Sequence, residues 1–191
     1  PTGCASFQMK YGAATLHRTY AVPVGFCGPW RDRTTERFQK TYRKLKSARL
    51  AIIDEISMVG RAMLGKVDYK YGNTVPSQAE YGRHVSMAGR DVILSGDWRQ
   101  APPIGDTPLY VEGPYKGKGL NKPSKGDRPA DAPDMAFLVQ RGRDLLLECE
   151  DAVILREVHR RDDEAKGVPV DELDEYKEEA VYYPHMTLPY N

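Results

Sequence analysis

Leu50-Ala51-Ile52-Ile53-Asp54-Glu55-Ile56-Ser57-Met58 is the stretch from which the architecture can be read, because an apolar run stops there at two consecutive acids. Nucleotide hydrolases present carboxylates to magnesium from such a strand end, which makes ATP chemistry the leading expectation. A second apolar run, Asp91-Val92-Ile93-Leu94-Ser95, leads into Gly96-Asp97-Trp98-Arg99-Gln100-Ala101-Pro102-Pro103. Two neighbouring strands would then each deliver acid or amide groups beyond their carboxyl ends, the edge where open parallel sheets bind ligands. Taken alone, the acidic pair also suits a strand end whose charges favour the next helix N-terminus. The second string taken alone also suits a tight turn closing on Pro102 and Pro103.

Around these strands the pattern is helical. Residues 34–45 have helix-forming composition with Phe38, Tyr42 and Leu45 at i, i+4 and i+7, which predicts a basic helix with a narrow apolar stripe beside the following strand. Ser57 is placed to cap a helix that carries Val59, Met63 and Val67 toward the core and ends near Gly72. A helix over residues 136–147 and a short strand over 152–155 come later. Upstream, a short helix over residues 4–10 breaks at Gly12, and Thr15 opens another helical turn. Residues 110–134 are dense in Gly, Pro, Lys and Asp without periodicity and read as a solvated insertion or linker. Residues 170–180 read as an exposed charged helix, and no internal repeat is present. Helices alternating with short Ile/Val/Leu strands specify an α/β fold, a parallel sheet flanked by helices.

Composition bounds the reading. A chain of 191 residues with 40% hydrophobic content suits one modest domain, and a mean hydropathy of −0.60 leaves much of its surface polar. The formal net charge is only +1, so a nucleic-acid surface has to come from local asymmetry. Such asymmetry exists: Arg31, Arg33, Arg37, Lys40, Arg43, Lys44, Lys46 and Arg49 form a basic segment, whereas Asp171, Glu172, Asp174, Glu175, Glu178 and Glu179 make the far end acidic. Cys4, Cys27 and Cys149 are an odd number at wide spacing, which suits a reduced intracellular protein and argues against a zinc site. No apolar run is long enough to span a bilayer and no signal-peptide pattern opens the chain, so no membrane partner is expected.

With Pro1-Thr2-Gly3 and Thr15-Leu16-His17 before them and His159-Arg160-Arg161 after them, the two strings resemble the petite integration frequency (PIF) family of DNA helicases, of superfamily 1B. The likeness covers roughly residues 1 to 110 and 137 to 161. Its most specific pieces are Ile53-Asp54-Glu55-Ile56-Ser57-Met58 and the GDxxQxPP string from Gly96 to Pro103. It departs from the family at Trp98, where phenylalanine is commoner, at Ala101, where leucine is usual, and at Arg161, which replaces a glutamine. The resemblance implies a RecA-like P-loop NTPase domain, here incomplete. Residues 1–161 would be part of a first motor domain, and residues 162–191 a charged tail or the start of the following region.

Site roles follow from the same resemblance. Asp54 would hold magnesium through water and Glu55 would polarise the attacking water, because in phosphoryl transfer the protein mainly positions groups and neutralises charge. Gln100 would sense the terminal phosphate, a task that suits an amide able to donate and accept, with Asp97 bracing its loop. Arg160 would reach the terminal phosphate, although an arginine after a strand equally suits a structural ion pair. His159 reads as a packing or surface residue. Thr2, Gly3, Thr15 and His17 match positions that touch single-stranded DNA through phosphates rather than base edges. Helix caps and a tight turn would explain the threonines as well, and a solvated helix face would explain the basic segment.

The chain contains no GxxxxGK[ST] loop. In the resembled family that loop lies before Pro-Thr-Gly, so its expected place is upstream of Pro1, with a second motor domain beyond the other end. The phosphate-loop strand would sit between the strands ending at Ser95 and Leu155, and the isolated chain is therefore expected to be poorly stable and without ATP turnover. The implied parent is an ATP-dependent 5′→3′ DNA helicase using ATP and Mg2+ on single-stranded DNA and single-strand/duplex junctions. It would act as a monomer in repair, recombination or telomere maintenance, and be nuclear or mitochondrial in a eukaryote. The competing expectation is a degenerate, non-catalytic remnant that acts at most as a nucleic-acid or protein-binding module.

Overall fold

The computed structural model describes residues 12–76, 85–113 and 130–155. The chain divides into two units, Pro1–Cys149 and Glu150–Asn191. In the first unit the described elements are α1 (Leu16–Thr19), α2 (Glu36–Leu45), β1 (Leu50–Ile53), α3 (Arg61–Thr74), β2 (Asp91–Leu94) and α4 (Met135–Leu147). A 3-10 turn at Ile56–Met58 follows β1, and a second tight turn at Ser86–Gly89 precedes β2.

The expected α/β architecture is borne out. β1 and β2 pair in parallel, in register from Leu50 with Asp91 to Ile53 with Leu94. Parallel neighbours need a crossover, and α3 supplies it. Side chains alternate along β1, with Ala51 and Ile53 buried while Leu50 and Ile52 face outward. Val92 and Leu94 of β2 lie on the same inner face as Ala51 and Ile53, against a core that includes Leu45, Ile56, Val59, Leu64, Val67 and Tyr71. β2 ends one residue before the expected Ser95, although the Ser95 N–H still donates to the Ile53 carbonyl at 2.9 Å.

α3 carries little amphipathic signal because it is buried on nearly every side, with Leu64, Val67 and Tyr71 accompanied inward by Lys66, Asp68 and Lys70. Buried charge is tolerable only when partnered. Lys66 Nζ donates to the Gly25 carbonyl at 3.1 Å and Lys70 Nζ to that of Gly28 at 3.0 Å. Asp68 accepts from the Met87 N–H at 2.5 Å and from Arg141 Nε at 2.8 Å. α4 crosses α3 at paired glycines, where a Cβ on Gly65 would lie 1.8 Å from the Leu138 carbonyl oxygen and one on Gly142 2.0 Å from that of Arg61.

α2 forms where composition places it, capped by Thr35, whose hydroxyl accepts from the Phe38 N–H at 3.3 Å. Phe38 and Leu45 are buried and Tyr42 is half-buried, as the stripe requires. It packs against α3, and Leu45, with Tyr42 half-buried beside it, carries the stripe into the cluster that holds Ala51 and Ile53.

Three expectations need correction. Ser57 does not cap a helix: it lies in the 3-10 turn, buried, and α3 begins only after Gly60. Val59 is buried but precedes α3, which ends at Thr74, close to the expected Gly72. Residues 152–155 form no strand; Val153 and Leu155 are each 86% exposed. An apolar run that short is a strand only when a ladder partner holds it, and the described residues provide none. The expected helices over residues 4–10 and 170–180, and most of the 110–134 segment, lie outside the described residues.

Candidate functional site

The carboxyl ends of the two strands are fastened to each other. Asp54, the residue after β1, accepts a hydrogen bond from Ser95 Oγ at 3.0 Å. The Ile56 N–H donates to the Ser95 carbonyl at 3.0 Å, carrying the pairing past the strands themselves. Gly96 follows with φ of +147°, and a Cβ there would stand 2.7 Å from the Ile56 nitrogen. Only glycine lets the second motif string approach the first this closely.

Glu55 sits at this junction in the left-handed region, φ 54° and ψ 48°. For a residue with a side chain such a conformation costs about 1–3 kcal/mol and persists only where its surroundings enforce it. Here the bonds on either side, Ser95 N–H to Ile53 and Ile56 N–H to Ser95, hold it. Glu55 Oε2 is buried without a hydrogen-bond partner among the described residues. An acceptor held in that state is destabilising by about 1–3 kcal/mol, and it is poised to accept from a water or a ligand.

The loop after Gly96 is braced as expected: Asp97 Oδ1 accepts from the Arg99 N–H at 2.9 Å and the Gln100 N–H donates to the Asp97 carbonyl at 3.1 Å. Trp98 is half-buried against the core and meets Tyr110 edge-on, with ring centroids 5.7 Å apart. Gln100 is exposed on this turn. Farther along, Asp106 reaches back to the start of α3, where its carboxylate accepts from the N–H groups of Ala62 at 3.1 Å and Met63 at 2.9 Å. The Arg61 N–H donates to the Thr107 carbonyl at 2.8 Å, and Pro108 bridges to Gly60. A Cβ on Gly60 would lie 2.1 Å from Asp106 Cγ. The Gln100 loop is thus pinned at both ends to the segment that carries Asp54 and Glu55.

Asp106 is the cap expected of Ser57, and sequence reasoning missed it. Nothing local marks a cap that lies more than forty residues along the chain from the N–H groups it serves; the available signal was Gly60, a helix entry without a capping side chain of its own.

Thr15 and His17 belong to α1 rather than to the strand junction. Thr15 is the N-cap, its hydroxyl accepting from the Arg18 N–H at 3.4 Å, so the capping explanation holds in the structure beside the DNA-contact expectation. His17 is exposed at its tip, and partial burial together with the Lys66 charge holds its imidazole below the usual histidine range. Thr2, Gly3 and Arg160 lie outside the described residues. Among the described residues no three acidic, histidine or cysteine groups converge on a metal site.

A family model described as PIF1-like helicase matches residues 1–109. Among solved structures, a Bacteroides Pif1 helicase in complex with ADP-AlF3 and single-stranded DNA matches at 32% identity and a TM-score of 0.42, over 55% of this chain and 22% of that one. A Bacteroides Pif1 bound to single-stranded DNA matches at 21% identity and a TM-score of 0.44, over 93% of this chain and 38% of that one. A structure describing DNA unwinding at forked duplex by two coordinating Pif1 helicases matches at 30% identity and a TM-score of 0.42, over 55% and 23%. This chain thus spans well under half the length of these relatives. No curated protein matches it.

Proposed function

The chain belongs to the PIF1-like helicase family, and on that footing we propose that it supplies part of the first motor domain of an ATP-dependent DNA helicase that travels 5′ to 3′ on single strands and opens duplexes. The observation behind the proposal is Glu55, held left-handed at the strand junction with a buried Oε2 that has no hydrogen-bond partner among the described residues. In this reading Glu55 accepts a hydrogen bond from a water and orients it toward the terminal phosphate of ATP. Asp54, steadied by Ser95 Oγ, holds magnesium through water; the ion when bound neutralises phosphate charge. Gln100 reports the terminal phosphate from a turn anchored at Gly96 and Asp106. Arg160 stabilises spreading charge during transfer. Thr2, Gly3, Thr15 and His17 meet the phosphates of single-stranded DNA.

Nucleotide-linked DNA binding tests this reading. In the full-length protein, a non-hydrolysable ATP analogue should change single-strand affinity several-fold. Salt-dependent binding with no nucleotide effect would instead support a module that holds nucleic acid without a motor.

A further inference from the structure

We propose that the outward face of α2 is a docking surface for the phosphate backbone of duplex DNA. This deepens the helicase reading and rests on it only in taking DNA as the partner.

The chain as a whole has a formal charge of +1, yet residues 31–49 hold eight cations and two acids. All eight cations are exposed. The orientation of α2 is fixed by its other side: Phe38 and Leu45 are buried, Trp30 meets Phe38 edge-on at 5.2 Å, and Phe38 stacks on Tyr42 at 5.9 Å. Several of the cations are already engaged within the fold. Arg31 pairs with Asp131 at 3.2 Å, Arg33 lies over Phe38, Arg37 donates to the Ala21 carbonyl at 3.2 Å, and Lys46 lies over Tyr42. Lys40, Arg43 and Lys44 form no ion pair among the described residues, and Arg43 engages only its Nε, with the Gln39 carbonyl of its own helix.

These three stand at i, i+3 and i+4, neighbours on one helix face about 5–6 Å apart. The helix dipole accounts for Arg43 and Lys44 in the last turn, but not for Lys40. The row offers charge rather than aromatic surface: Phe38 is buried, and the half-buried Trp30 and Tyr42 pack against it. Single strands are held by stacking bases on aromatics as well as by charge, whereas a duplex hides its bases and presents phosphates. A rigid, aromatic-free row of cations therefore fits a duplex.

The test uses the full-length protein and its Lys40→Gln, Arg43→Gln, Lys44→Gln triple variant, with binding to a short blunt duplex and to oligo-dT measured between ~50 and ~200 mM salt. Duplex affinity of the variant should fall about tenfold at the low-salt end, and its salt slope should become shallower by about 0.9 for each phosphate no longer neutralised. Oligo-dT binding and the thermal midpoint should stay unchanged, and the charge-preserving Lys40→Arg, Lys44→Arg variant should bind duplex normally. Unchanged duplex binding by the triple variant would make the face merely solvated and overturn the proposal, as would equal losses on duplex and oligo-dT. A wild type that binds oligo-dT but not duplex overturns this inference alone. Duplex binding abolished in the triple variant, with no nucleotide effect on oligo-dT, supports the surface while counting against the motor.

Discussion

Glu55 is held in place at two costs to stability, a left-handed backbone and a buried oxygen without a partner among the described residues. Each is of the order of 1 kcal/mol or more, so Glu55→Gly should raise the thermal midpoint while removing any catalytic function. A lower midpoint in calorimetry would mean that the side chain stabilises the fold and that no strain is stored there. The placement of Asp54, Glu55 and Gln100 beyond the strand ends was legible because an apolar strand that stops at acids or at a glycine turn leaves a local mark. Thr15 was legible in its capping role for the same reason, since its hydroxyl acts three residues away. Asp106 was invisible because its partners are remote in sequence and its geometry depends on Gly60 lacking a side chain.

Among the helices and strands, Asp106 and the glycine crossing hold the site together. Removing the Asp106 carboxylate in Asp106→Ala frees two N–H groups of α3 and should destabilise by about 1–2 kcal/mol. Because the same carboxylate anchors the Gln100 loop, amide exchange at residues 97–101 should accelerate more than exchange in α2. Uniform acceleration would reduce Asp106 to an ordinary cap. Gly142→Ala places a methyl group 2.0 Å from the Arg61 carbonyl oxygen and should cost about 1–3 kcal/mol or prevent folding. An unperturbed denaturation midpoint would show that α4 can shift away from α3. The α2 stripe was readable from its period, whereas α3 was only half readable: its buried lysines and aspartate break the apolar pattern, and their partners at Gly25, Gly28, Met87 and Arg141 are spread along the chain.

For the molecule as a whole, the parallel α/β plan was legible because two Ile/Val/Leu runs flank a helix-length segment, and a parallel pair requires such a crossover. The state of residues 152–155 was not, because four apolar residues cannot say whether a ladder will hold them. The sheet turns Ala51 and Ile53 to the core and leaves Leu50, Ile52 and Ile93 on its other face at 45%, 53% and 49% exposure. What unites the molecule functionally is a loop and a strand end locked together, an arrangement whose strain is explained if nucleotide chemistry happens at Glu55. The sharpest check is ATP turnover beside ATP binding in the full-length protein carrying Glu55→Gln. Binding should be retained with turnover reduced at least about a hundredfold, the scale of a lost general base; near-normal turnover would show that the chemistry does not run through Glu55.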